Sequence, residues 1–516
     1  VSTALAADRD AFREALVREG LSDDGELLRG TVNWEHPGLG PATATIEVTL
    51  PDAFAFVPPA VRVLDVGADM ALTFHVEYDE DRPPSRLCLW ESTHDVARAP
   101  WRDAPALIAR VAGHLTRTAR GWPGDTDCDL ERYLPNSTGL VLYDRERVAA
   151  LAGRTVRLRH DFAVNVTTVT DDVQARGPRP GGPRRRDHNV AYLDDLGELD
   201  APIRSWADLS ARLGDRAGQV SRDIMLGLVP LLVLGYSRSG QRSVLVLRVR
   251  ADRAQIRVRA VESADTSDQT RQLRAGPDLA RLAGVRVAIV GLGAVGSFTA
   301  DLLFRAGVRH LTLIDYEILR PGNVVRHLLG DRYVGWAKVD GVADLLAGRG
   351  ADTTHVRARR SGIRSTGLAG AIVRSHDLVI DATGDALATG LLSYAASSCD
   401  DRVPRVLSAC VQRQGQVVRV DALPARAGEP HLPALQRREG DQLAREQGCG
   451  SPVSLTPPGS VVACAELVAR LAVDVLAGSG ATVASSTAVV FAGQDEEPFA
   501  HLGTVTSREH VTVAAP

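Results

Sequence analysis

Between Gly291 and Lys338 the chain sets small, acidic, amide and basic residues where phosphate chemistry would use them. Gly291, Gly293 and Gly296 form a G-x-G-x-x-G turn after the apolar run 285–290. Residues 297–306 read as a helix, and a second apolar run, 310–314, ends in Asp315. Strand, glycine turn, helix, strand and acid make a nucleotide-binding βαβ unit. Gly291 permits the tight turn, Gly293 lets a phosphate reach the backbone, and Gly296 lets helix pack on strand. The exposed N–H groups and the helix dipole favour an anion, and Asp315 stands where a ribose hydroxyl needs an acceptor.

The residues after Asp315 decide which nucleotide. Glu317, Asn323, Arg326 and Lys338 follow at short intervals. A dehydrogenase has no need of an amide, a guanidinium and an ammonium there. An enzyme that adenylates a carboxylate does, because it must hold a triphosphate and steady departing pyrophosphate. Farther on, Asp377–Asp381 reads as a strand entering an acidic turn that ends in Asp385. From the residues alone, Asp385 reads as the N-cap of the helix that follows. The long polar stretch 423–459 carries Cys449 between two glycines, where a thiol is accessible and poorly packed.

The acid–x–acid, Asn-x-x-Arg and Gly-x-x-Lys arrangement of Asp315, Glu317, Asn323, Arg326, Gly335 and Lys338 resembles the ThiF/MoeB/HesA superfamily, the adenylating half of ubiquitin-activating enzymes. The resemblance covers roughly Leu282–Gly478. It implies a Rossmann-like α/β adenylation domain over 276–516, with a mixed, mostly parallel sheet and a crossover loop at 423–459. It implies ATP and Mg2+, with Asp315 on the ribose, Arg326 and Lys338 on the phosphates, Asn323 orienting them and Asp385 at the metal, Asp381 being the alternative and a plain helix N-cap at Asp385 an equal reading. Cys449 matches the family's thioester-forming cysteine. Adenylation domains of this family pair, so a homodimer is expected.

The N-terminal third is a second candidate site. A helix at 4–19 precedes strand-like segments at 28–34, 42–50, 61–64 and 71–77, then Leu87-Cys88-Leu89 and a helix at 104–120. By residue type alone Cys88, flanked by leucines, reads as a core cysteine. The element order and the Leu50–Val63 run with its Pro58-Pro59 resemble a ubiquitin-conjugating domain, spanning 1–132, in which Cys88 would carry an acyl group. The His-Pro-Asn usual upstream of that cysteine is not found; His75 is the nearby candidate, at a different spacing. A conjugating half placed before an activating half resembles the fused enzymes of bacterial antiviral operons of the CBASS type, whose modified protein is a nucleotidyltransferase.

The region between the two candidate sites reads as a scaffold that separates them. Residues 133–275 read as a β-rich middle region without chemistry of its own, with strand-like segments at 140–143, 155–158, 162–169 and 243–250 and a Pro-, Gly- and Arg-rich stretch at 174–188. Cys128 sits among acids that raise its pKa, and Cys399, Cys410 and Cys464 read as core. No cysteines form a C-x-x-C pair, so a structural zinc site is not expected. A net charge of −4 carries no bulk basic footprint for nucleic acid, and no run reaches membrane-spanning length. The absence of a leader pattern suggests a cytoplasmic protein. The activity expected is ATP-dependent activation of a protein C-terminal carboxylate, usually a ubiquitin-like glycine, thioester formation on Cys449, transfer to Cys88 and conjugation to a target amine. A ThiF/MoeB-like adenylyltransferase without conjugation, an NAD(P)-dependent oxidoreductase and a binding scaffold are the other readings.

Overall fold

A computed structural model describes residues 3–66, 74–78, 86–90, 100–173, 189–399, 405–435, 444–445, 452–453, 455–479 and 483–508. The chain divides into two compact units, Val1–Ser267 and Asp268–Pro516.

In the first unit, helix Thr3–Arg18 leads into a six-stranded antiparallel sheet. Its strands lie in the order Ser22–Asp23, Leu28–His36, Gly40–Thr49, Ala60–Asp65, Arg86–Leu87, Val76–Glu77. Helix Ala104–Ala119 follows; the Asp103 carboxylate caps it by accepting the Ala106 N–H at 2.8 Å. Leu107, Val111 and Leu115 fall on one stripe of that helix and bury against Trp34, Ile46 and Val48 of the sheet. The helix–meander–cysteine–helix order expected from the sequence is the order observed. The segment expected as a strand at 71–77 is described only from residue 74, and its strand is Val76–Glu77.

The rest of this unit is a closed seven-stranded barrel. Around it run Val190–Glu198, Leu231–Arg238, Gln241–Asp252, Gln255–Asp265, Asn136–Tyr143, Val166–Val173 and Arg154–Asp161. Three of these strands, Val190–Glu198, Leu231–Arg238 and Gln255–Asp265, are absent from the sequence reading. Leu231–Leu234 is a fully buried apolar run, which shows no alternation and so gives no strand period. Phe74, Leu130, Tyr133 and Leu134 pack into the core that the barrel builds with Leu232, Leu234 and Leu245. The stretch 174–188 expected as a loop lies outside the described residues.

The second unit holds an eight-stranded sheet in the order Arg357–Arg359, His310–Ile314, Arg286–Val290, Leu378–Asp381, Val406–Gln412, Val417–Leu423, Ser486–Val490, Gly503–Thr506. The first five strands are parallel and the last three run antiparallel to their neighbours. This is the mixed, mostly parallel α/β sheet expected. Val287 and Ile289 face helices Ala294–Ala306 and Pro458–Asp474, while Ala288 and Val290 face Thr366–Ser375 and Ala386–Ser397. Burial on both faces explains why these strands read as unbroken apolar runs. The chain goes from Arg286–Val290 to one side of the sheet and later returns to its other side at Leu378–Asp381. That reversal opens a crevice at the strands' C-terminal ends, where parallel sheets bind ligands.

Phe304 is 1% exposed between helix and sheet. Phe304→Ala should cost about 3–5 kcal/mol of the second unit's stability, read from guanidinium unfolding by circular dichroism. A loss below about 1 kcal/mol would contradict this packing.

Candidate nucleotide and thiol sites

The crevice is built on one peptide group. Leu292, inside the glycine turn, donates its N–H to Asp315 Oδ2 at 2.7 Å. Its carbonyl meets His327 Nε2 at 2.7 Å, and His327 Nδ1 accepts the Leu329 N–H at 3.1 Å. Because Nδ1 is an acceptor, the proton lies on Nε2, which donates to the Leu292 carbonyl. Burial, with Lys338 adding, pushes the His327 imidazole down to about 4, so it is neutral at pH 7. Asp315 Oδ1 accepts the Glu317 N–H at 2.7 Å, and the Gly291 N–H donates to the Ile314 carbonyl at 2.8 Å. The turn is therefore tied to the second strand at both ends.

Each glycine has its own reason. Gly291 sits at φ +86°, and a Cβ there would lie 2.8 Å from the Ala382 carbonyl and from Thr383 Cα. A Cβ at Gly296 would overlap the Gly291 carbonyl oxygen. At Gly293 a Cβ would meet nothing within 4 Å. Gly293 is also the N-cap of helix Ala294–Ala306 and brings no side chain to its first-turn N–H groups. That combination fits a phosphate drawn up against bare backbone.

Lys338 opens helix Lys338–Ala347 and is buried, with Nζ paired to the Glu317 carboxylate. Its N–H donates to the Glu317 carbonyl at 3.0 Å, and Ile318 bridges Ala337. Residues 317–319 and 335–338 thus form one short ladder that fixes the ammonium. Asn323 Oδ1 accepts the Arg320 N–H at 3.1 Å and shapes the start of the short 3-10 helix Pro321–Arg326 that carries half-buried Arg326.

The Asp381 carboxylate is fully engaged. It accepts the Thr383 N–H at 3.1 Å and the hydroxyls of Thr383, Thr389 and Ser408 at 2.7, 2.6 and 3.0 Å. Asp385 is exposed; its Oδ1 caps helix Ala386–Ser397 by accepting the Leu387 N–H at 2.9 Å. Among the described residues no three His, Cys, Asp or Glu side chains gather to hold a metal. Magnesium on a nucleotide commonly takes one or two carboxylates beside the phosphates, and Asp385 fits that sparse pattern better than Asp381.

The thiols divide. Cys449 lies outside the described residues; the strands Ala444–Arg445 and Pro452–Val453 of the same loop pair antiparallel. Cys464 is fully buried and burial pushes its thiol up to about 12; burial also pushes Cys410 up to about 11. Cys128 is raised by burial first and by Asp127 among other acids. Cys88 is half-buried, its N–H donates to the His75 carbonyl at 3.1 Å, and Arg132 Nη1 lies 3.9 Å from its sulfur. Burial, then the Glu77 carboxylate, pushes its thiol up to about 11. The His75 ring does not serve Cys88 as a His-Pro-Asn would. It is bound to Asp125 at 2.5 Å and lies against Trp122. His327, Glu77 and Arg132 were not picked out by sequence reasoning. The contacts that define them cross 35 residues for His327–Leu292 and 44 for Arg132–Cys88, with no motif spacing to flag them.

Residues 267–501 match the ThiF family, and this C-terminal region is a ThiF domain. The chain is 29% identical over 197 residues to the molybdopterin-synthase adenylyltransferase of Escherichia coli (strain K12), covering 38% of this chain and 74% of that one. It is 31% identical over 165 residues to the "ATP-dependent ubiquitin transferase-like protein Cap2" of Pseudomonas aeruginosa (strain BWHPSA011 / Pa011), covering 30% of this chain and 29% of that one. It is 32% identical over 142 residues to the uncharacterized protein y4oA of Sinorhizobium fredii (strain NBRC 101917 / NGR234), covering 24% of each. The matches thus span less than a third of the Cap2 and y4oA chains. No helix among the described residues is long and apolar enough to cross a membrane.

His327 gives the site a pH signature. Its folded value, about 4, lies below its ordinary 6.5, so on acidification the unfolded chain binds the proton first. Stability is then full above pH 6.5 and is lost as pH falls from 6.5 toward 4. His327→Gln, which keeps a donor to Leu292, should lose up to about 3 kcal/mol less than the wild type across that window. Guanidinium unfolding at pH 7 and pH 4.5 checks it; equal losses would contradict the assignment.

Proposed function

We propose that the chain activates a protein C-terminal carboxylate with Mg-ATP and passes the acyl group, through thiols, to a target amine. One observation carries the reading: the bare Gly293 corner, Asp315 and the buried Lys338 stand together at the sheet's crevice in a ThiF domain. The Lys338–Glu317 pair supports adenylation over hydride transfer, because a nicotinamide site has no use for a buried ammonium there.

The chemistry asked of each residue follows. Carboxylate oxygen attacks the α-phosphorus of ATP and pyrophosphate leaves, giving an acyl-adenylate. Asp315, fixed by two backbone N–H groups, still offers lone pairs to ribose hydroxyls. Amides at the start of helix Ala294–Ala306 take phosphate oxygens. Lys338 and Arg326 neutralise charge on departing pyrophosphate, and Asn323 holds the turn that aims Arg326. Asp385 is the proposed magnesium contact. Cys449 then takes the acyl group, and Cys88, in a conjugating-like region at 1–132, receives it and delivers it to an amine. The barrel region within 133–275 is read as a scaffold, and the assembly as a homodimer. The acyl donor is a ubiquitin-like or other small protein ending in glycine, in keeping with the likeness to a ubiquitin transferase-like protein, and the setting proposed is bacterial antiviral defence. A second reading, activation without conjugation, draws support from the Cys88 thiol, whose surroundings disfavour the thiolate.

Intact mass separates the two readings. Wild type, Cys88→Lys and Cys449→Ala are incubated with Mg-ATP and lysate of the source organism. Relay predicts a reductant-resistant adduct on the introduced lysine that needs ATP and Cys449; an adduct confined to Cys449 supports activation alone. With the donor so identified, Lys338→Ala should slow ATP–pyrophosphate exchange by roughly a hundredfold or more. Exchange at the wild-type rate would overturn the role given to Lys338.

A further inference from the structure

A cation stands beside Cys88. Arg132 lies in the one-turn helix Glu131–Tyr133, where the chain enters the barrel. Its Nη1 is 3.9 Å from Cys88 Sγ, 3.5 Å from Glu77 Oε1 and 3.0 Å from Asp127 Oδ2. Its Nη2 is 2.9 Å from Asp129 Oδ2. Three carboxylates thus hold a side chain that is only a quarter exposed, so its position is set before any ligand arrives. The pairing of Val76–Glu77 with Arg86–Leu87 fixes Glu77 beside the cysteine, and the His75 carbonyl fixes the Cys88 backbone.

We infer that Arg132 is a catalytic residue of the Cys88 thioester, the cation that receives negative charge on sulfur as an amine displaces it. The inference rests on the reading of Cys88 as an acyl carrier. In that step a C–N bond forms at the thioester carbonyl and the C–S bond breaks. The electron pair goes to Cys88 sulfur, and the proton lost by the amine ends on that sulfur, regenerating the thiol. Sulfur is most negative as the C–S bond breaks, and Arg132 Nη1 faces it then. Glu77 is a positioning residue that holds the guanidinium and opposes its charge. The balance is visible in the resting thiol: burial and Glu77 push it up to about 11, and Arg132 pulls the other way. The acids around the site also favour the approach of a target with a basic surface, whose neutral amine then attacks.

The test needs no natural donor. Full-length protein is acetylated at Cys88 with phenyl thioacetate, and discharge by ethylamine at pH 8 is followed by peptide mass spectrometry. Arg132→Gln should slow discharge about tenfold, while Arg132→Lys should stay within about twofold of the wild type. Thermal melts of both variants separate charge from folding. Glu77→Gln, which leaves Arg132 unopposed, should speed discharge about threefold and carries the test if Arg132→Gln does not fold. Loading with discharge indifferent to Arg132→Gln, or to Glu77→Gln where the first variant is unfolded, would overturn the inference and leave Cys88 an acyl carrier. A folded wild type that takes no acetyl on Cys88 would overturn both.

Discussion

The second unit depends on the Leu292 peptide. Both its polar groups are spent inside the protein, the N–H on Asp315 and the carbonyl on His327. Each bond is short and its donor and acceptor are buried, so neither is exchanged for water at small cost. With Leu292 pinned, the corner at Gly293 is open: a Cβ there would meet nothing within 4 Å. Asp315 ties the turn to the second strand, and His327 ties it to the segment that leads toward Lys338. A ligand meeting such a turn finds it already shaped, and little ordering remains for binding to impose.

The thiol site follows a different logic. Around Cys88 the protein has placed three carboxylates and one guanidinium. A resting thiolate is disfavoured there, because burial and Glu77 push the thiol up. Arg132 Nη1 lies 3.9 Å from that sulfur, the position from which the proposed role would act. Cys464, by contrast, is closed in the core between helix and sheet, where burial pushes its thiol up.

Sequence carried the framework of the second unit because its physics is local. The Gly291–Gly296 turn, the apolar strands and Asp315 are each dictated within a few residues, by a turn angle, a close approach or burial on both faces. What stayed hidden is what folding brings together. His327 reads as one more polar residue until its ring is seen on Leu292, and Arg132 until its guanidinium is seen on Cys88. The barrel was half legible: strands with one wet face alternate, whereas Leu231–Leu234, buried throughout, carries no period. Asp385 stood level between N-cap and metal ligand in the sequence; the structure gives it the cap and leaves the metal as a proposal.

The central claim, that a nucleotide phosphate occupies the space above Gly293, is tested most directly by calorimetric titration of Mg-ATP into wild type and Gly293→Val. The added side chain would enter open space, and Gly293 has an ordinary negative φ of −76°, so the fold should survive. The account predicts an unchanged melting temperature and ATP affinity weakened by about a hundredfold, roughly 3 kcal/mol. A folded Gly293→Val protein that binds ATP as tightly as the wild type would contradict it.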